Sequence, residues 1–235
     1  MHPYMAEFLG TAILIALGNG VVANVVLNKT KGNNSGWIVI CFGWAMAVFV
    51  GVFSVAKFSG AHLNPAVSIC LAMVGKFPWS DVLYYSLAQI AGAFVGSVLV
   101  WLMYHPHFKS TEDAQTKLAT FGTGPAIRNP FYNLLTETIA TAIFLLCILL
   151  KIGPSDSLGA LDAIPVAFLV LAVGLSFGGP TGYAINPARD LGPRLAHAIL
   201  PISKKGSSDW SYAWVPIAGP VLGAVIAALI YIAIQ

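Results

Sequence analysis

The chain has 235 residues, 57% of them hydrophobic and only 9% charged, with a formal net charge of +3. A typical soluble domain is about 25% charged, so this composition excludes an ordinary water-soluble globule and points to a chain embedded in a lipid bilayer. The small positive excess leaves no electrostatic footprint for nucleic acid.

Six stretches are long enough to cross roughly 30 Å of hydrocarbon at about 1.5 Å per residue. They cover residues 4–27, 37–56, 82–104, 131–150, 163–179 and 212–234, the fifth being the shortest. The first lacks a basic leader and is interrupted by Glu7, so it does not read as a cleavable signal peptide. After the second, Ser59-Gly60-Ala61-His62-Leu63 leads into Asn64-Pro65-Ala66, which opens a short apolar segment at 65–75. The third stretch is followed by the most polar part of the chain, 105–129, a natural linker. The fourth carries Glu137. After the fifth, Thr181-Gly182-Tyr183-Ala184-Ile185 leads into Asn186-Pro187-Ala188 and a second short segment, 187–200. Cys41, Cys70 and Cys147 all fall in apolar stretches without metal-ligand spacing and read as buried small hydrophobes.

The two halves repeat one another. Glu7, Thr11, Ala12 and Ile13 share a pattern with Glu137, Thr141, Ala142 and Ile143. Gln89-Ile90-Ala91-Gly92 with Gly96 matches Pro216-Ile217-Ala218-Gly219 with Gly223, and these glycines read as small-residue contacts between close-packed helices. Each half holds three full spans, an odd number, so the second must insert upside down relative to the first. The chain therefore reads as one transmembrane domain, 1–235, with inverted halves 1–104 and 130–235 joined by linker 105–129. In each short segment proline stands at the first helical position, where its missing N–H costs nothing. Eleven helical residues reach about 16 Å, half the hydrocarbon. Two such half-helices entering from opposite sides meet N-terminus to N-terminus at the midplane. Irregular backbone at that depth is tolerated where it lines a wet cavity.

On these residues the chain resembles the aquaporin and glycerol facilitator family over nearly its whole length. The resemblance implies an all-α membrane fold of six tilted helices and two re-entrant half-helices, with one pore per subunit in a homotetramer. It implies passive flow of water or small neutral solutes without a cofactor. Asn64 and Asn186 would present amide donors to the pore where two positive helix ends, each about +0.5 of a charge, converge. Both asparagines are also suited to cap their helices. Water there would point its oxygen at the asparagines, and the positive field would repel protons and cations.

The same resemblance assigns the constriction to Trp44, Gly174, Tyr183 and Arg189. Glycine at 174 would leave room for a carbon chain, and Trp44 with Tyr183 would form an apolar corner opposite Arg189. The plainer alternative for Arg189 is pairing with Asp190, although adjacent helical residues do not face each other. Asp190, Arg194, Pro216, Ile217 and Tyr104 resemble the glycerol-type pattern. Tyr183 departs from the phenylalanine usual there, and its hydroxyl would narrow the gap and offer the solute a hydrogen-bond partner. Glu7 and Glu137 would accept backbone N–H groups of the re-entrant segments, with a proton relay as the alternative. His62 would line the pore through its carbonyl or ring.

The expected solutes are glycerol and water, with dihydroxyacetone and neutral lactic acid beside them, and the expected place is the cell membrane. Two other readings compete: a secondary active transporter, which also uses inverted repeats and broken helices, and a water-selective aquaporin. No Gly-x-Ser-x-Gly, His-Glu-x-x-His or paired intramembrane aspartate suggests an enzyme. The family resemblance implies cytoplasmic termini. Lys57, Lys76 and Lys151 would then be the only basic residues of the inner loops, a bias that by itself favours the reverse orientation.

Overall fold

A computed structural model describes residues 1–151 and 157–235. Six of its helical stretches are long and apolar enough to cross a membrane. In chain order the elements are α1 (Pro3–Val26), α2 (Trp37–Ser59), α3 (Pro65–Met73), α4 (Trp79–Met103), α5 (His105–Ser110), α6 (Ala114–Ala119), α7 (Pro130–Leu150), a 3-10 turn (Gly159–Ala163), α8 (Ile164–Phe177), α9 (Pro187–Ile199) and α10 (Val215–Ala233). Local chemistry sets most of these ends. Proline stands in the first turn of α1, α3, α7, α8, α9 and α10, and Gly60 closes α2 in the left-handed conformation.

The fifth span differs from its expected form. Its α-helix has 14 residues, and only with the preceding 3-10 turn does it reach a 19-residue, membrane-crossing length. The last span begins at Val215, because residues 210–214 form turns ahead of Pro216. Segment 105–129 is more than a tether: it folds into α5 and α6 and then runs into the site described below.

Packing follows the repeat. Helix α1 lies along α4 and α2, while α7 lies along α10 and α8. The half-helices cross over, with α3 against α10 and α9 against α4, and α2 meets α8 between them. Glycine permits the closest approaches. A Cβ on Gly96 would stand 2.5 Å from the carbonyl oxygen of Ala12, and one on Gly223 would stand 2.6 Å from that of Thr138. Cys41 and Cys70 are buried, but Cys147 is exposed on the outer face of α7, which corrects the expectation of three buried thiols. An apolar stretch that will face lipid looks like a core stretch in sequence, because hydrocarbon and protein interior select the same residues.

Candidate functional site

The two short helices meet at their capped ends. Asn64 Oδ1 accepts the N–H of Ala66 at 2.9 Å, and Asn186 Oδ1 accepts those of Ala188 and Arg189 at 3.0 and 3.2 Å. Each side-chain amide also reaches across the repeat. Asn64 Nδ2 donates to the carbonyl of Ile185 and Asn186 Nδ2 to that of Leu63, both at 2.8 Å. An amide nitrogen carries two hydrogens, so each asparagine keeps one. Both asparagines line a common cavity. Pro65, Ala66, Pro187 and Ala188 lie behind them, buried at the helix starts.

The loops feeding these helices are matched position for position. Gly60, Ala61 and Leu63 have positive φ in the first, and Gly182, Tyr183 and Ile185 have it in the second. For non-glycine residues this left-handed conformation costs roughly 1–2 kcal/mol each, so something must hold it. The buried carboxylates of Glu7 and Glu137 do. Glu7 accepts the N–H groups of His62 (3.0 Å) and Leu63 (2.7 Å), the Ser59 hydroxyl (2.6 Å) and the Gln89 amide (2.8 Å). Glu137 accepts the N–H groups of Ala184 (3.0 Å) and Ile185 (2.9 Å) and the Thr181 hydroxyl (2.6 Å). With N–H groups drawn away to the carboxylates, the carbonyls of Gly60, Ala61, His62, Tyr183 and Ala184 meet no donor among the described residues, and all five residues line the cavity. The His62 ring turns to Ser68 Oγ at 2.9 Å through Nδ1.

The cavity holds about 370 Å³. Opposite the polar loops its walls are apolar stripes at helical spacing: Trp44, Val48 and Val52 on α2, then Val166 and Val170 on α8. The stripe on α8 would continue at Gly174, but Gly174 does not line the cavity. A Cβ there would lie 2.7 Å from Tyr183 Cζ and 2.9 Å from its hydroxyl oxygen. The room left by glycine is thus taken by the Tyr183 ring, not left for a carbon chain. The hydroxyl is buried in that recess beside the Cys41 thiol, a weak partner, rather than directed toward a solute. Trp37 closes the recess, its ring edge-on to Tyr183 at 5.8 Å and its indole N–H on the Gly174 carbonyl at 3.1 Å.

Arg189 also departs from its expected placement. Its guanidinium lies over the Trp44 ring, 4.3 Å from the centroid, rather than across the lumen from it. One of its five N–H groups, on Nη1, donates to the carbonyl of Phe121 at 3.0 Å, and no other acceptor among the described residues meets the guanidinium. Asp190 turns away from Arg189. It accepts Arg194 Nε and Nη2 at 2.7 and 2.9 Å, and the N–H and hydroxyl of Thr123 at 2.7 Å each. Phe121 and Thr123 belong to the polar connector, where nothing in the sequence marks them. Ser59 and Thr181 were findable, since each stands five residues before its asparagine.

A second cavity of about 370 Å³ is bordered by the connector residues Gly122, Thr123 and Pro125 together with Asp113 and Arg128. There the Thr116 hydroxyl and N–H hold the Asp113 carboxyl below its ordinary range.

The main cavity sets spare acceptors and two amide donors on one side of a narrow space, with hydrocarbon on the other. A small hydroxylated molecule can exchange water for these groups without ionising. Among the described residues the carboxylate that lines the cavity is that of Asp162, in the 3-10 turn before α8.

A family model described as major intrinsic protein matches residues 1–231. A protein of Thermotoga maritima described as a probable glycerol uptake facilitator is 59% identical, covering 98% of each chain. A D/L-lactic acid transporter of Lactiplantibacillus plantarum is 42% identical over 97% of this chain and 95% of its own. Among solved structures, the aquaglyceroporin of Plasmodium falciparum superposes with a TM-score of 0.85 at 35% identity, covering 97% of this chain and 94% of that one.

Proposed function

The chain belongs to the major intrinsic protein family, and from that premise we propose that it is a passive channel for glycerol and other small uncharged solutes together with water. It is a multi-pass membrane protein and not an enzyme. The observation that supports the reading is the Arg189 guanidinium, stacked on the Trp44 ring with four N–H groups unspent among the described residues, in the cavity that the Tyr183 ring also lines. Hydroxyls of a three-carbon solute take those donors while its CH groups slide on the rings. Farther in, the free loop carbonyls accept from the solute's hydroxyls, and the remaining amide hydrogens of Asn64 and Asn186 donate to its oxygens. Water there orients its oxygen to the asparagines, and two helix N-termini plus Arg189 repel protons and cations.

Dihydroxyacetone fits the same chemistry. The neutral form of a small hydroxy acid is a further solute class, supported by the relative described as a lactic acid transporter. In this reading the unit is a homotetramer in the cell membrane with cytoplasmic termini and one pore per subunit. The test is a permeability panel on purified protein in liposomes, read as osmotic swelling without ion gradients. Glycerol flux well above bare liposomes is expected. Water flux without glycerol flux would make the chain a water-selective channel, and a requirement for an ion gradient would make it an active transporter.

A further inference from the structure

The filter arginine is held from a loop that itself needs holding, and the fold supplies the clamp. Arg194 spends all five N–H groups: two on Asp190, one on the Thr123 carbonyl at 2.7 Å, and Nη1 on the carbonyls of Ser208 and Asp209 at 2.8 and 3.3 Å. Its side chain is fully buried. Asp190 completes the knot with the two bonds from Thr123. Two residues earlier in the same loop is Phe121, whose carbonyl holds Arg189. Arg189, Asp190 and Arg194 all stand on α9, so the filter arginine and the clamp on its anchoring loop share one helix.

The Phe121 ring is packed in the core against Phe108 and His197, and Gly122 lies against the Arg194 guanidinium. Thr123, Gly124 and Pro125 border the second cavity, so the bonds of Thr123 to Asp190 and Arg194 fix the open side of the loop. One observation separates this arrangement from ordinary packing. The other repeat has no counterpart: Val67 and Ser68 stand where Arg189 and Asp190 stand, and Ser68 binds His62 instead. The clamp occurs only in the repeat that has an arginine to position.

We infer that Thr123, Asp190 and Arg194 are positioning residues for solute selection, which set the filter's width by fixing the Phe121 carbonyl against Arg189. The inference rests on the channel reading above. The test compares the flux of a four-carbon polyol, erythritol, with that of glycerol in liposomes containing the full chain. Thr123→Val removes one bond to Asp190 and keeps the side chain's shape. It should raise the erythritol-to-glycerol ratio roughly threefold to tenfold, with the melting temperature little changed, and Thr123→Ser should restore the original ratio. Arg194→Lys, which retains a charge but loses the bond to the Thr123 carbonyl, should move the ratio the same way if Thr123→Val does not fold. An unchanged ratio in the folded variants, with normal glycerol flux in the unaltered protein, overturns the clamp alone. Absence of glycerol flux in the unaltered protein overturns the channel reading and the clamp with it.

Discussion

Tyr183 occupies the space that a side chain on residue 174 would need: its ring comes within 2.7 Å of where a Cβ on Gly174 would sit. The two residues belong to different elements, α8 and the loop before α9, and together they settle the shape of one wall. Glycine does not widen the lumen directly; it lets an aromatic ring withdraw from it.

Gly174→Ala should therefore push the Tyr183 ring into the lumen. Glycerol flux should fall on the order of tenfold, because pore diameter limits the larger solute first, while water flux falls much less. Stopped-flow swelling and shrinkage of the same proteoliposomes measure both. Equal losses for the two solutes would mean the ring finds another recess.

The buried Tyr183 hydroxyl has only the Cys41 thiol, a weak hydrogen-bonding group, beside it, and a poorly satisfied buried polar group costs up to about 1–3 kcal/mol. Tyr183→Phe should accordingly be neutral or raise the thermal midpoint by roughly 2–4 °C per kcal/mol gained, leaving the ratio of lactic acid to glycerol flux unchanged. A drop in that ratio would show that the hydroxyl reaches the solute after all.

Removing the guanidinium takes away a local positive barrier beside the lumen. Arg189→Val should raise proton or cation leak, seen as faster collapse of a pH gradient, while neutral-solute flux persists. Background conductance in the variant would leave ion exclusion to the two helix N-termini.

Glu137→Gln places an amide among three donors that now meet a carboxylate. Hydrogen bonds to charged groups are worth about 1.5–3 kcal/mol each, so folded yield should drop and all solute fluxes should fall together. A selective change in one flux, with yield intact, would make Glu137 a part of the transport path rather than its scaffold.

On the proposed function a hydroxy acid passes in its uncharged form. A carboxylic acid titrates near pH ~4, so its neutral fraction falls about tenfold per pH unit above that value. Lactic acid flux at fixed total concentration should rise correspondingly as pH is lowered from 7 to 5, while glycerol flux stays flat. A flat lactate profile would mean the anion passes.

The sequence by itself determined the spans, the inverted halves and the pairing of Asn64 with Asn186. Those features rest on local rules: apolar length, proline at a helix start, asparagine as a cap, and a motif written twice. Glu7 and Glu137 were legible for the same reason, as carboxylates that apolar surroundings would not tolerate without donors. Tertiary structure alone decided what meets across elements. No periodicity shows that the Tyr183 hydroxyl turns into the recess beside Gly174, or that Arg189 lies over Trp44 instead of facing it. The polar connector reads as a linker, yet it supplies the Phe121 carbonyl and the Thr123 donors to the site. Contacts between residues about 70 positions apart depend on how helices cross in three dimensions, and side-chain direction at a crossing is set by the partner, not by the chain's own pattern.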